Sequence, residues 1–124
     1  MASSRREAET PAAHSHGAAT VVSRGRGRRA LERAAGFFRA VGDVERLRLL
    51  EVLADREWCV TELAEALGHE LSSVSQRLRV LRAERLVKRR REGKHIHYRL
   101  ADRHVAALLE SALEHAAEGD DDDY

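Results

Sequence analysis

Apolar residues recur at helical spacing in the first part of the chain, after residues 1–27. The segment from Arg28 to Val41 predicts a first helix, with apolar positions at Leu31, Ala34, Ala35, Phe38 and Val41. Gly42 interrupts this pattern, and Asp43 is suited to cap a second helix that ends near Asp55. A turn is expected over residues 55–58.

Two shorter helices are predicted in the middle of the chain. The first carries an apolar face and ends at a glycine; its residues are Val60, Leu63, Ala64, Leu67 and then Gly68. The second opens at Ser72 and buries Val74, Leu78 and Leu81. Two short helices around a tight glycine-containing turn are typical of a helix-turn-helix.

Beyond Leu86 the pattern changes to a period of two, which predicts a β-hairpin with arms at 86–91 and 95–100 and a turn at 92–94. The last element, from Asp102 to Ala117, has an apolar stripe that is able to pack on a partner; it consists of Val105, Leu108, Leu109, Ala112 and Leu113. Helices followed by a hairpin define a winged helix-turn-helix. The predicted fold is therefore mainly α (α+β), with about five helices and a two-stranded β-hairpin wing.

Composition divides the chain into three parts. Residues 1–27 combine Ser, Ala, Gly and Arg without a sustained apolar period, which predicts a flexible arm; residues 28–118 form the folded domain, and residues 119–124 an acidic tail. No apolar stretch is long enough for a membrane span, so no membrane partner is expected. The one cysteine, Cys59, excludes an internal disulfide framework and favours a cytoplasmic location.

Positive charge is concentrated where a winged helix would meet DNA, although the net charge is only +1. The second helix of the pair would enter the major groove, and arginines on it and on the hairpin would contact phosphates. The predicted DNA-binding residues are Ser72, Ser73, Ser75, Gln76, Arg77, Arg79, Arg82, Lys88, Arg89, Arg90, Arg91 and Lys94. Two alternatives are a solvated charged face and a basic surface that binds an acidic protein.

Four metal-ligand residues lie in the last helix: Asp102, His104, His115 and Glu118. His104 and His115 are eleven residues apart, a rise of about 16 Å on a helix, so one chain cannot close around an ion. A second, antiparallel copy of the helix would bring His115 and Glu118 of one subunit opposite Asp102 and His104 of the other. Such nitrogen and oxygen sets suit zinc, with cobalt or nickel as competitors. Taken singly, each residue fits a role without metal better. Asp102 is then an N-cap, His104 a surface residue of the first turn, His115 a favourable charge near the helix C-terminus and Glu118 a solvated residue.

The start of the third helix offers a candidate second metal site. Cys59 and Glu62 are three residues apart, and His14 and His16 of the partner's arm could reach them. The alternative is a half-buried cysteine and histidines that bind nothing. His69, His95 and His97 are expected to face solvent or phosphate rather than to bind metal.

Four segments together resemble the ArsR/SmtB family of bacterial metal-sensing repressors. They are Glu57–Leu63, Ser72–Leu78, Leu86–Val87 and Gly93–Leu100, and the resemblance covers about residues 30 to 118. It implies a homodimer, paired through the first and last helices, that binds operator DNA when metal-free. Zinc, cobalt, nickel or cadmium would release it and derepress metal efflux or sequestration genes. The four residues of the last helix resemble that family's zinc site.

Two other functional classes remain open from the sequence. One is a winged-helix regulator that responds to redox state or has no metal effector, in which the four residues are only structural. The other is a small zinc enzyme with an open coordination position. The chain has no Gly-rich phosphate loop and no nucleophile with a positioned base, so we expect neither an enzyme nor a small-molecule substrate.

Overall fold

The structure is a computed structural model that describes Gly25 and residues 27–120, without the side chains of 119 and 120. The predicted arm, apart from Gly25 and Gly27, and residues 121–124 of the predicted tail lie outside the described residues. Contacts divide the chain between Ala35 and Gly36. The elements are α1 (Arg28–Val41), α2 (Val44–Leu53), β1 (Trp58–Cys59), α3 (Val60–Leu67), α4 (Leu71–Ala83), β2 (Val87–Glu92), β3 (His95–Leu100) and α5 (Arg103–Asp120).

The junction between α1 and α2 is held by backbone-directed hydrogen bonds. Asp43 is extended and its carboxylate accepts from the backbone amide of Arg46 at 2.9 Å, which confirms the predicted N-cap. The Arg46 side chain in turn donates to the carbonyls of Ala40 at 2.7 Å and Arg39 at 3.2 Å. Both carbonyls lie in the last turn of α1, and that of Arg39 also accepts from the backbone amide of Gly42 at 3.3 Å. Through these bonds Arg46 fixes the start of α2 beside the end of α1.

The helix-turn-helix consists of α3 and α4. Gly68 ends α3 in the left-handed conformation at φ 71°, where a side chain would be strained. The prediction that Ser72 opens the next helix was wrong by one residue. Glu70 is extended and its carbonyl accepts from Val74 at 3.1 Å, so α4 already begins at Leu71 and Ser72 lies within its first turn.

The sheet has three strands in the order β1-β3-β2, one more than predicted. Strand β1 pairs antiparallel with β3, Trp58 opposite Tyr98 and Cys59 opposite His97. Trp58 therefore belongs to a strand, although the sequence placed it in a turn. The hairpin of β2 and β3, called the wing from here on, pairs Val87 with Leu100 through Glu92 with His95.

The core lies between α2, α3, α4 and the base of the wing. Its largest fully buried side chains are Leu49, Leu50, Leu63, Val74, Leu78, Leu81, Leu86 and Val87. From α5, Val105 and Leu109 are buried against this core, whereas Leu108 on the same helix is 49% exposed and Phe38 on α1 is 64% exposed. The apolar faces of α1 and α5 are thus only partly covered within the chain. None of the described helices has the length and hydropathy needed to cross a membrane.

Candidate nucleic-acid interface and metal sites

Helix α4 presents one face to the core and the opposite face to solvent. Val74, Leu78 and Leu81 are buried. At about 100° per residue, the positions farthest from them include Ser72, Gln76 and Arg79, and all three are exposed. The helix that was predicted to read bases therefore has an exposed polar face, and predicted DNA-binding residues lie on it.

Arg79 links two parts of this face. Its Nη1 donates to Oε1 of Gln76 at 2.6 Å. The same residue lines a cavity of about 220 Å³ between α4 and the wing, whose other lining residues are Val60, Ser75, Arg82, Arg89, Ile96 and Tyr98. We call this the α4–wing cavity. It brings three predicted phosphate-binding arginines from two elements to one opening.

A second basic cavity of about 450 Å³ shares two arginines with the first. It is lined by Arg82, Arg85, Val87, Lys88, Arg89, Arg90, Arg99 and Ala101. Arg85 and Arg99 were not among the predicted DNA-binding residues. Arg99 pairs with Lys88 across the hairpin, which places it beside a predicted phosphate ligand. Arg85 has a φ of 61° directly after α4, and nothing in its sequence context indicates this placement.

Arg90 differs from the other predicted phosphate ligands because two carboxylates hold it. It donates to both carboxylate oxygens of Glu57, with the shortest distance 2.7 Å from Nη2 to Oε1, and to Glu92 at 3.2 Å. The hydrogen bonds from Arg90 lower the pKa of the Glu57 carboxyl. In this arrangement Arg90 ties the wing to the residue before β1, and its charge is already compensated.

Arg77 is directed toward the turn of the helix-turn-helix. Its Nη1 lies 3.2 Å from Nδ1 of His69, and Nε2 of His69 lies 3.9 Å from a carboxylate oxygen of Glu45 on α2. Because arginine can only donate, Nδ1 of a neutral His69 accepts this bond. Arg77 therefore occupies the edge of the α4 face, whereas Gln76 and Arg79 lie at its centre.

The predicted ligands of the last helix lie at its two ends. Oδ1 of Asp102 accepts from the backbone of Val105 at 3.1 Å, so the N-cap alternative is realised in this chain. Nδ1 of His104 lies 3.7 Å from the same oxygen, and the His104 side chain is 94% exposed. Two ligands of one tetrahedral zinc lie about 3.3 Å apart. Asp102 and His104 therefore fit half of such a site after a small side-chain rotation.

His115 and Glu118 are exposed near the other end of α5. Within residues 27–120 no three His, Cys, Asp or Glu side chains are close enough to share an ion. The four-residue set therefore stays a prediction about a pair of chains.

An uncovered apolar groove of about 340 Å³ runs beside His115. Its lining residues are Phe37, Phe38, Val41, Leu47, Leu108, Leu109, Ser111, Ala112 and His115. The groove thus combines the exposed apolar side chains of α1 and α5 with one of the predicted metal ligands.

Cys59 is buried between the start of α3 and the wing. Its Sγ lies 3.2 Å from Oγ1 of Thr61 and 3.7 Å from Nδ1 of His95. Glu62, the predicted co-ligand, instead accepts from the backbone amide of Cys59 at 3.3 Å and so caps α3. His14 and His16 lie outside the described residues. The structure therefore brings Cys59 to His95, a histidine that the sequence analysis had not assigned to metal.

Hydrogen bonds from the Thr61 hydroxyl, and then from its backbone amide, lower the pKa of the Cys59 thiol from 9.0 to about 7, with a smaller contribution from His95. We expect the ultraviolet absorbance of the thiolate to rise with a midpoint near pH 7. Thr61→Val removes the hydroxyl donor and should move the midpoint toward 9, whereas Thr61→Ser should keep it. A wild-type midpoint close to 9 would contradict this assignment.

Proteins of known structure share the fold of this chain. A solved winged helix-turn-helix domain of Mb0332 from Mycobacterium bovis, described as homodimeric and DNA-binding, superposes with a TM-score of 0.70 at 34% identity, over 76% of this chain and 90% of that one. The family model "Bacterial regulatory protein, arsR family" matches residues 43–89. The chain is a winged helix-turn-helix protein.

Two curated relatives extend this match. The transcriptional repressor SmtB homolog of Synechocystis is 48% identical over 69% of this chain and 65% of its own length, slightly less than two thirds. The transcriptional regulator NmtR of Mycobacterium tuberculosis is 45% identical over 66% of this chain and 68% of its own length. The chain belongs to the arsR family of bacterial regulatory proteins, which confirms the predicted resemblance. These relatives are described as regulators, in agreement with the expectation that the chain is not an enzyme.

Proposed function

We propose that this protein is a metal-responsive transcriptional repressor of the bacterial cytoplasm. It binds operator DNA as a homodimer when metal-free, and binding of zinc, or of cobalt, nickel or cadmium, at inter-subunit sites releases it and derepresses metal efflux or sequestration genes. The observation that carries this proposal is the arrangement on α5, where predicted ligands at both ends of the helix flank an uncovered apolar groove.

The groove supports dimerisation because its apolar side chains are otherwise left in water. Phe38 and Leu108 are more than two-fifths exposed. Pairing two such grooves about a two-fold axis buries both and brings the two α5 helices together. If the helices are antiparallel, Asp102 and His104 of one subunit approach His115 and Glu118 of the other. Dimerisation and metal binding then depend on the same helix pair.

DNA binding is supported by the charge of α4 and the wing. Exposed arginines line both cavities on this side, and Gln76 lies at the centre of the exposed α4 face. Glutamine pairs with adenine and arginine with guanine or phosphate in the major groove. The names of the relatives, which are a repressor and a transcriptional regulator, agree with this role.

A second metal site at Cys59 remains part of the proposal in a changed form. His95 supplies an imidazole 3.7 Å from the sulfur, whereas Glu62 is engaged as a helix cap. A thiolate and an imidazole suit zinc or cobalt, and the remaining ligands would be His14 and His16.

The test is a mobility shift on the DNA upstream of this protein's own gene, with zinc, nickel and cobalt added in turn. We expect a specific complex without metal and its loss with at least one of them, while random DNA of equal length binds more weakly. Equal binding of operator and random DNA would refute the function as a specific regulator.

Coupling between the two ligands should be reciprocal. If zinc weakens operator binding, the operator must weaken zinc binding by the same factor, typically about 5- to 150-fold. We expect a competition titration with a zinc chelator to show this loss of affinity when operator is added, and random DNA serves as the control. Equal zinc affinities with and without operator would contradict the proposed mechanism of release.

A further inference from the structure

Arg79 lies where the phosphate-binding and base-reading parts of the α4 surface meet. It is one helical turn from Gln76 and donates to the amide oxygen of that residue at 2.6 Å. It also lines the α4–wing cavity together with Arg82 of the same helix and Arg89 of β2. The Arg79 guanidinium therefore contacts Gln76 at the centre of the exposed α4 face and also lines the α4–wing cavity.

The α4–wing cavity has the chemistry of a site for one phosphate group. Three guanidinium side chains line it, beside Ser75 and the largely apolar Val60, Ile96 and Tyr98, and its volume is about 220 Å³. Within residues 27–120 no carboxylate lies at ion-pair distance from Arg79, Arg82 or Arg89, in contrast to Arg90. Planar guanidinium groups bind phosphate oxygens in pairs. The cavity therefore offers uncompensated positive charge in a concave site.

We propose that the α4–wing cavity binds one backbone phosphate of DNA and that Arg79 couples this phosphate to base reading by Gln76. The inference rests on the proposed DNA binding and deepens it. Arg79 has five N–H donors, so it can donate to the phosphate while Nη1 holds the Gln76 oxygen.

Fixing the amide of Gln76 matters for specificity. Recognition of adenine needs the amide oxygen as acceptor and the amide nitrogen as donor in one defined orientation. With Oε1 held by Arg79, the second lone pair of the oxygen and the nitrogen remain for the base. Arg79 is therefore a positioning residue, because it affects discrimination between bases without touching one.

Arg82 provides the matched control. It lines the same cavity from the same helix but makes no side-chain hydrogen bond to Gln76 in the described structure. Lysine keeps the charge at either position but cannot donate to two partners in the fixed geometry of a guanidinium. Arg79→Lys and Arg82→Lys thus change the cavity similarly, and only the former removes the coupling.

The experiment measures the affinities of the full-length protein for operator and random DNA over a range of salt concentrations. We expect Arg79→Lys to lower the specificity ratio about five- to tenfold, part of what one bidentate base contact contributes, with an unchanged salt slope. Arg82→Lys should weaken operator and random DNA by the same factor, because a phosphate contact carries no sequence information. Arg82→Ala should weaken both DNAs equally and reduce the salt slope by about 1.

A double-mutant cycle isolates the coupling itself. In a Gln76→Ala background, Arg79→Lys should cause no further loss of specificity. If the two substitutions lower the specificity ratio independently, so that their factors multiply in the double variant, the inference is overturned. An equal effect of Arg79→Lys on operator and random DNA would also overturn it. Both results leave the proposed function standing, whereas a wild-type protein without preference for operator would refute that function.

The source of the phosphate is tested separately. Replacing single operator phosphates by neutral methylphosphonates should identify one position at which wild type loses affinity and Arg79→Ala/Arg82→Ala does not. If no position behaves in this way, and inorganic phosphate at matched ionic strength competes with DNA for wild type alone, the cavity binds a free anion and the inference fails.

Discussion

Replacing His104 and His115 together with alanine is expected to leave operator binding intact and to abolish its reversal by zinc. Each proposed site loses both of its nitrogen ligands and keeps only carboxylates, which suit zinc poorly. Loss of outer-shell partners alone lowers metal affinity about 10- to 100-fold, so loss of two direct ligands should exceed about 100-fold. Mobility shifts over a range of free zinc concentrations measure the response.

The fold should tolerate this double substitution. His104 is 94% exposed, and His115 is also exposed, so the thermal unfolding midpoint of the metal-free protein should not change. Glu110→Ala/Glu114→Ala is the matched control, because it removes two exposed residues of α5 that lie outside the ligand set. That variant should bind one zinc ion per subunit and respond normally. An undiminished zinc response of the histidine variant would refute the site.

Asp102 can cap α5 and bind a metal ion at the same time. Its Oδ1 accepts from the amide of Val105, which fixes the carboxylate at the start of α5. A carboxylate held in this way has a defined direction, and ionised carboxylates have lone pairs on both oxygens. The N-cap and the ligand interpretations of Asp102 are therefore compatible, although the sequence presents them as alternatives.

Long elements with a clear period could be predicted from the sequence to within three residues, and the largest difference is the end of α5, at Asp120 rather than at Ala117. The bounds of α1 are those predicted, because a continuous apolar period precedes Gly42 and Asp43 caps the next helix. The two arms of the wing were also predicted, to within one residue, because alternation and the turn at Gly93 mark them in the sequence. Strand β1 was missed because two residues are too few to show a period, and its pairing with β3 is a contact of the tertiary structure.

The residues of the candidate sites could be predicted only where residue type and position on a helix determine which side chains are exposed together. The exposed face of α4 follows from its buried residues. The engagement of Arg90 by Glu57 and the approach of His95 to Cys59 join residues 33 and 36 positions apart, and no local pattern encodes such contacts. The metal ligands of α5 could be proposed from spacing because helix geometry itself excludes a site within one chain.

A second large effect is expected from Phe38→Glu/Leu108→Glu, which places two carboxylates on each copy of the apolar groove. Phe38 is 64% and Leu108 is 49% exposed, so each chain should still fold, with an unchanged circular dichroism spectrum. In a two-fold dimer the new charges face one another away from water, and like charges at an interface cost several kcal/mol. We expect a monomer by sedimentation equilibrium.

The monomeric groove variant should lose both zinc binding at α5 and tight operator binding. The histidine variant, in contrast, should lose only its response to zinc. Each metal site needs residues of two chains, so stoichiometric zinc binding at α5 should disappear. Operator affinity should fall about 10²- to 10⁴-fold, because the two half-sites are no longer bound by linked reading heads. Ala66→Glu, an exposed position of α3 outside the groove, should remain dimeric. If the groove variant instead stays dimeric and still binds one zinc ion per subunit, the subunits pair through another surface.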